Sequence, residues 1–125
     1  SRRILGREET VLAFAPFASC FPYEFWIVPV GHAHDFGAAP PAVLRDLARL
    51  LQRTLRGVYR VLQDPPFTLV LHSCPLGEFA QDEYHWHVEV VPQPPHLLGP
   101  ERGTGILINP VPPELAAERY QRAME

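Results

Sequence analysis

The sequence contains no lysine; arginine supplies all 11 of its basic side chains. The absence matches a composition bias of the genome, and it has a chemical consequence. Any basic side chain that meets a phosphate must be Arg or His, a planar fork or an imidazole rather than a mobile ammonium. Cysteine is scarce: Cys20 and Cys74 are the only two, and no Cys-x-x-Cys pair is present. A cysteine-based zinc site within the chain is therefore not expected, and two reduced thiols in an intracellular, cytoplasmic protein are the plain reading. No apolar run approaches the roughly 20 residues that span a bilayer, and no signal peptide is visible, so no membrane partner is expected. Excess positive charge is also missing. The formal net charge is −3, which argues against a nucleic-acid partner, because such proteins show a basic face.

With 125 residues, 46% hydrophobic and 20% charged, the chain suits one folded domain over 1–125 with a modest core. It opens at Ser1 and stops at Glu125 in what reads as a helix. That suggests a fragment or one half of a larger protein, with processed ends as the alternative.

Hydrophobic patterning predicts strands over 11–16, 24–29, 67–72, 84–92 and 104–109. The 24–29 segment is apolar nearly throughout and is expected to be buried on both faces. Pro40 and Pro41 open one long helix. Leu44, Leu47, Leu51, Leu55, Val58 and Leu62 form its apolar stripe, and Arg45, Arg49, Arg53, Arg56 and Arg60 fill a solvated face. Asp64-Pro65-Pro66 ends it, and Pro113-Glu114 starts a second, C-terminal helix. The order predicts an α+β fold: a mostly antiparallel sheet with the long helix packed on it and a short helix at the end.

The chemistry concentrates in His85-Trp86-His87-Val88-Glu89. On a strand, side chains alternate between faces, so His85, His87 and Glu89 share one side while Trp86, Val88 and Val90 anchor the other. His72 closes the preceding strand; if the two strands are neighbours, three imidazoles converge. Three nitrogens and an oxygen would suit Zn²⁺ or Fe²⁺, with Glu89 as that oxygen, as an orienting partner, or as a ligand-binding carboxylate. Ordinary structural histidines are the alternative on spacing alone. His32 and His34 in a loop, His96 in a Pro-rich stretch, Cys74 and Gly103-Thr104-Gly105 are weaker candidates. Trp26 and Trp86 read as core residues rather than base-stacking platforms.

Several segments in order carry a resemblance: Phe21-Pro22-Tyr23-Glu24-Phe25-Trp26-Ile27-Val28-Pro29 followed by His32, then Asp64-Pro65-Pro66-Phe67, then Leu71-His72 with Pro75, then Tyr84-His85-Trp86-His87-Val88-Glu89, then 103–114 with Ala116-Ala117. Together, from about 11 to 119, they resemble the C-terminal half of the galactose-1-phosphate uridylyltransferase family, in the histidine-triad (HIT) superfamily. The resemblance implies a HIT-like domain that is the second of two repeats packed on a shared sheet. It implies an enzyme that moves UMP between UDP-hexose and hexose 1-phosphate through a uridylyl-histidine. The nucleophile of such enzymes lies in a His-Pro-His motif of the first repeat, absent here. This repeat is therefore expected to be inactive alone and to play a supporting role.

By the same resemblance, His72, His85 and His87 would hold a structural metal, Zn or Fe, completed by a glutamate of the missing N-terminal repeat. Arg102, Gly103 and Thr104, with Glu89, would contact substrate. The basic residue often found before the loop histidine is replaced by Val30-Gly31, which weakens a phosphate role there. Two other readings compete: a self-sufficient HIT-type hydrolase or transferase with His87 as nucleophile, and a non-catalytic, metal-stabilised binding module. A HIT-like half with an uncovered edge is further expected to homodimerise.

Overall fold

The structure, a computed structural model, describes residues 2–31, 36–73, 85–92 and 109–125. Five strands form one antiparallel sheet: β1 (Ile4–Arg7), β2 (Val11–Phe14), β3 (Phe25–Pro29), β4 (Phe67–His72) and β5 (His87–Pro92). The spatial order is β1-β2-β3-β5-β4. The long helix α1 spans Pro41–Leu62, after a short 3-10 turn at Phe36–Ala38, and α2 spans Pro113–Met124. This is the α+β architecture expected from the patterning.

The sheet is built from alternation. On β3, Phe25, Ile27 and Pro29 are buried while Trp26 and Val28 are half-buried; on β5, Val88, Val90 and Pro92 are buried while His87, Glu89 and Val91 are half-buried. β3 is therefore buried on one face rather than both, because its second face is the one that carries polar chemistry. β2 pairs with β3 through Leu12↔Val28 and Phe14↔Trp26, and β3 pairs with β5 through Phe25↔Val90 and Trp26↔Glu89. The inner face is covered by α1, which packs over β1, β2 and β3, and by α2, which packs on α1 and β1.

Pro40 and Pro41 start α1 with a proline in the first turn, and Gln63 ends it in the left-handed conformation (φ 59°). Asp64 repeats that conformation before Pro65 breaks the chain direction. The buried stripe of α1 is Leu47, Leu50, Thr54, Gly57 and Val58. Leu51, Leu55 and Leu62 pack at its margin and Leu44 is exposed, so the stripe is rotated from the expected one. Gly57 and Thr54 explain the rotation. A Cβ on Gly57 would meet Met124 and Tyr120 of α2 at 3.3 Å, so the glycine lets the helices touch there. The Thr54 hydroxyl donates to the Leu51 carbonyl at 3.0 Å and can be buried without penalty.

Two tie points lock the sheet to the helices. Asp46 of α1 accepts from the Thr10 backbone N–H (3.1 Å) and hydroxyl (2.7 Å), holding the turn between β1 and β2. Tyr120 of α2 is fully buried, meets Phe25 and Tyr23 edge-on, and donates its hydroxyl to the Tyr23 carbonyl at 2.8 Å. Arg119 donates to the Tyr23 hydroxyl.

The edge strand β1 was not anticipated, because Ile4-Leu5-Gly6-Arg7 is too short and too mixed for a periodicity signal. β5 begins at His87, not at 84. Residues 104–108 of the expected last strand lie outside the described residues.

Candidate metal and substrate site

β4 and β5 are neighbours, and their register sets His72 directly opposite His87 and Val70 opposite Glu89. Directly opposed side chains on adjacent strands come within contact distance. The His72 and His87 rings accordingly stack, 4.7 Å apart and 14° from parallel. Two residues along, Glu89 turns its carboxylate across both. Its Oε1 lies 3.0 Å from His87 Nε2 and its Oε2 lies 3.4 Å from His72 Nε2. His72, His87 and Glu89 each offer a ligand atom, all within 4.8 Å of one another.

The donor set fits a divalent cation. The second ring nitrogen of His87, Nδ1, faces the His85 carbonyl oxygen at 3.4 Å. In the tautomer that donates Nδ1–H to that carbonyl, the Nε2 lone pair lies on the carboxylate side, where a cation could be shared by His87, His72 and Glu89. Two imidazole nitrogens with one carboxylate oxygen is a set that zinc and ferrous iron both accept. Partial exposure of the three side chains, 43% for His72, 19% for His87 and 25% for Glu89, leaves the site open to solvent on one side.

His85 stands just before β5 and is not among the three residues whose ligand atoms cluster. Burial still alternates back through it as the strand period gives, with His85 half-buried and Trp86 buried. Arg102, Gly103 and Thr104, together with His32, His34, Cys74 and His96, lie outside the described residues.

The structure adds two residues that the spacing of histidines did not point to. Trp26, expected in the core, stands half-buried on the open face and stacks on His87, 4.7 Å away and 17° from parallel. Its indole Nε1 donates to Glu24 Oε2 at 2.8 Å. Glu24 is 93% buried, with 7% exposed, and its other oxygen accepts from the Cys20 and Phe21 backbone N–H groups at 3.0 and 3.4 Å. The signal was present in the run Glu24-Phe25-Trp26: an acid two residues before a Trp, just ahead of β3, within reach of the indole N–H. Trp86, by contrast, is fully buried in the core as expected, edge-on to Phe36 at 5.1 Å.

No protein-family model matches the chain. It is 35% identical over 117 residues to ADP-glucose phosphorylase of Arabidopsis thaliana, covering 92% of this chain and 33% of the relative. It is 30% identical over 122 residues to galactose-1-phosphate uridylyltransferase of Thermotoga maritima, covering 90% of this chain and 38% of that protein. The chain thus spans between a third and two fifths of the length of these relatives. Among solved structures, Arabidopsis ADP-glucose phosphorylase with bound ADP-glucose superposes with a TM-score of 0.87 at 33% identity, covering 94% of this chain and 39% of the other. A zinc-bound histidine-triad protein from Mycobacterium smegmatis superposes with a TM-score of 0.69 at 17% identity, covering 97% and 82%, a likeness of fold alone. In fold this chain is a HIT-like domain, and in sequence it is similar to part of ADP-glucose phosphorylase and of galactose-1-phosphate uridylyltransferase.

Proposed function

We propose that residues 1–125 form the second, supporting HIT-like repeat of a cytoplasmic nucleotidyl-transferring enzyme. Its substrates are a nucleoside diphosphate-hexose and a hexose 1-phosphate, with UDP-glucose and galactose 1-phosphate as the pair to test first. One observation carries this reading: His87 Nε2, the nitrogen that would attack phosphorus in a self-sufficient triad, is 3.0 Å from the Glu89 carboxylate. A carboxylate there repels an incoming phosphate and occupies the side from which phosphorus would have to approach Nε2. The same arrangement favours a cation. In this reading the nucleophilic histidine belongs to the companion repeat.

His72 and His87 supply nitrogens to zinc or iron, Glu89 supplies an oxygen, and His85 stands next in the chain to complete the set. The metal, when bound, ties β4 to β5 and neutralises the carboxylate. Arg102, Gly103 and Thr104 are assigned to the sugar phosphate. The companion repeat continues the sheet at β4, where Phe67, Leu69, Val70 and Leu71 are 40–45% exposed on both faces of an edge strand. Without the companion, a second copy of this chain takes its place, because an open apolar edge invites pairing.

The test is turnover of UDP-glucose with galactose 1-phosphate, and of ADP-glucose with inorganic phosphate. It is run on this chain alone and on the chain joined to an N-terminal repeat carrying His-Pro-His. Activity only in the joined form is expected. Activity of the chain alone, abolished by His87→Ala, would overturn the reading in favour of a self-sufficient HIT enzyme.

A further inference from the structure

We propose that Trp26, oriented by Glu24, is the positioning residue of the histidine site, a flat platform that fixes the ring of His87 so that only its Nε2 edge meets a ligand.

The proposal rests on the Proposed function only in taking the His72–His87–Glu89 cluster as the working site. It begins with a buried carboxylate that the metal site does not use. Glu24 is almost fully buried, and burying a carboxylate is costly unless its oxygens are satisfied. Three hydrogen bonds satisfy it. The Cys20 and Phe21 N–H groups hold Oε1, and the Trp26 indole N–H is donated to Oε2. The turn carrying Cys20 and Phe21 is itself held, since Asn109 donates its side-chain amide to the Ser19 and Phe21 carbonyls at 3.1 and 3.4 Å. The indole is thus anchored at its N–H by a hydrogen-bonded base, in addition to the ring packing around it.

The anchored ring faces the open side of the sheet, away from the helices. There it lies flat against His87, while Phe14 meets Trp26 edge-on at 6.2 Å. On the other side of His87 lies the His72 ring, also flat against it. With both faces of the imidazole covered, rotation of the ring about its own bond would drive it into a neighbour. Nδ1 is directed at the His85 carbonyl and Nε2 at Glu89. A ring held this way presents its in-plane lone pair in one direction only, which a cation requires of a ligand. Groups that orient a ligating histidine commonly change metal affinity by about 10- to 100-fold when removed.

The test uses the full 125-residue chain, with Zn²⁺ alone as the probe. Affinity is read by competition with a chromophoric chelator, and the His87 ring signals are read by NMR in metal-free protein. Trp26→Leu removes the flat face and keeps bulk; Trp26→Phe keeps a flat face without the N–H; Glu24→Gln keeps the indole but weakens its anchor. Expected are a loss of Zn²⁺ affinity of about tenfold or more in Trp26→Leu, and smaller losses in Trp26→Phe, which keeps a flat face without its anchor, and in Glu24→Gln, which keeps the indole on a weaker one. The His87 ring protons, shielded by the stacked indole, should move downfield in Trp26→Leu and shift partway in Glu24→Gln.

Folded Trp26→Leu with parental affinity and unmoved His87 signals would overturn the proposal. Equal losses in the Leu and Phe variants would do the same, because packing volume alone would then account for them. Should Trp26→Leu not fold, unmoved His87 signals in Glu24→Gln decide against it. Failure of the parental chain to bind Zn²⁺ would remove the metal reading, while the NMR comparison would still test the platform.

Discussion

The two faces of the sheet are made by alternate residues of the same strands, yet they serve different ends. On the inner face Val11, Ala13, Phe25, Ile27, Val88 and Val90 are at most 4% exposed beneath α1 and α2. On the outer face Phe14, Trp26, His87, Glu89 and His72 form a row of rings and a carboxylate with solvent access. β5 contributes to both at once: Val88 and Val90 hold it in the core, and that rigidity is what positions His87 and Glu89 between them. Chemistry placed on a strand inherits the precision of the core behind it. The two edges differ in the same way. β1 is packed by both helices, whereas β4, beside the histidine cluster, has no strand beyond it among the described residues.

The comparison can be broken most forcefully from the inside. Phe25→Ala should destabilise the fold by about 3–5 kcal/mol, the usual cost of deleting a buried aromatic, and chemical denaturation would measure it. On the outer face, Glu89→Gln or His72→Ala should leave the melting temperature of the metal-free chain nearly unchanged while lowering Zn²⁺ affinity by at least about tenfold. A large loss of stability without zinc would mean that the outer face is structural as well.

Tyr120 sharpens the contrast at the closed edge. Burial first, and the neighbouring Tyr23 second, hold its hydroxyl well above the usual tyrosine range. It stays protonated in the fold, while in the unfolded chain it ionises near pH ~10. Stability is therefore fully present below that pH and falls as pH rises above it. Tyr120→Phe should cost about 1 kcal/mol at neutral pH through the lost bond to the Tyr23 carbonyl, and should flatten the decline seen in denaturation curves between pH 9 and 11. The smallest effect on stability is expected at the open edge. Leu69→Lys should change it by no more than about 0.5 kcal/mol but convert a homodimer to monomer, as read by sedimentation. A parental chain that sediments as a monomer would remove the self-pairing expectation.

Much of this was legible in the chain. The helix limits followed from Pro40-Pro41 and Asp64-Pro65-Pro66, and the faces of β5 followed from alternation between His87 and Pro92. What was not legible has local reasons. β1 carries no periodic signal. The buried stripe of α1 turns on Gly57 and Thr54, two residues that no apolar count selects. Trp26 reads as core by hydrophobicity, and only the presence of Glu24 two residues earlier and His87 across the sheet places it at the site.

By itself the sequence determined the element types, the alternation that gives the sheet a polar and an apolar side, and the residue kinds available for chemistry. Those are local properties, set by backbone propensity and a two-residue period. Which histidine meets which was decided by strand register. Pairing β4 with β5 so that His72 faces His87 brings Glu89 across both, so that the ligand atoms of these three cluster. Register is a long-range choice, fixed by how the inner-face side chains fit beneath the helices, and a shift of one residue would have sent every one of these groups to the other side.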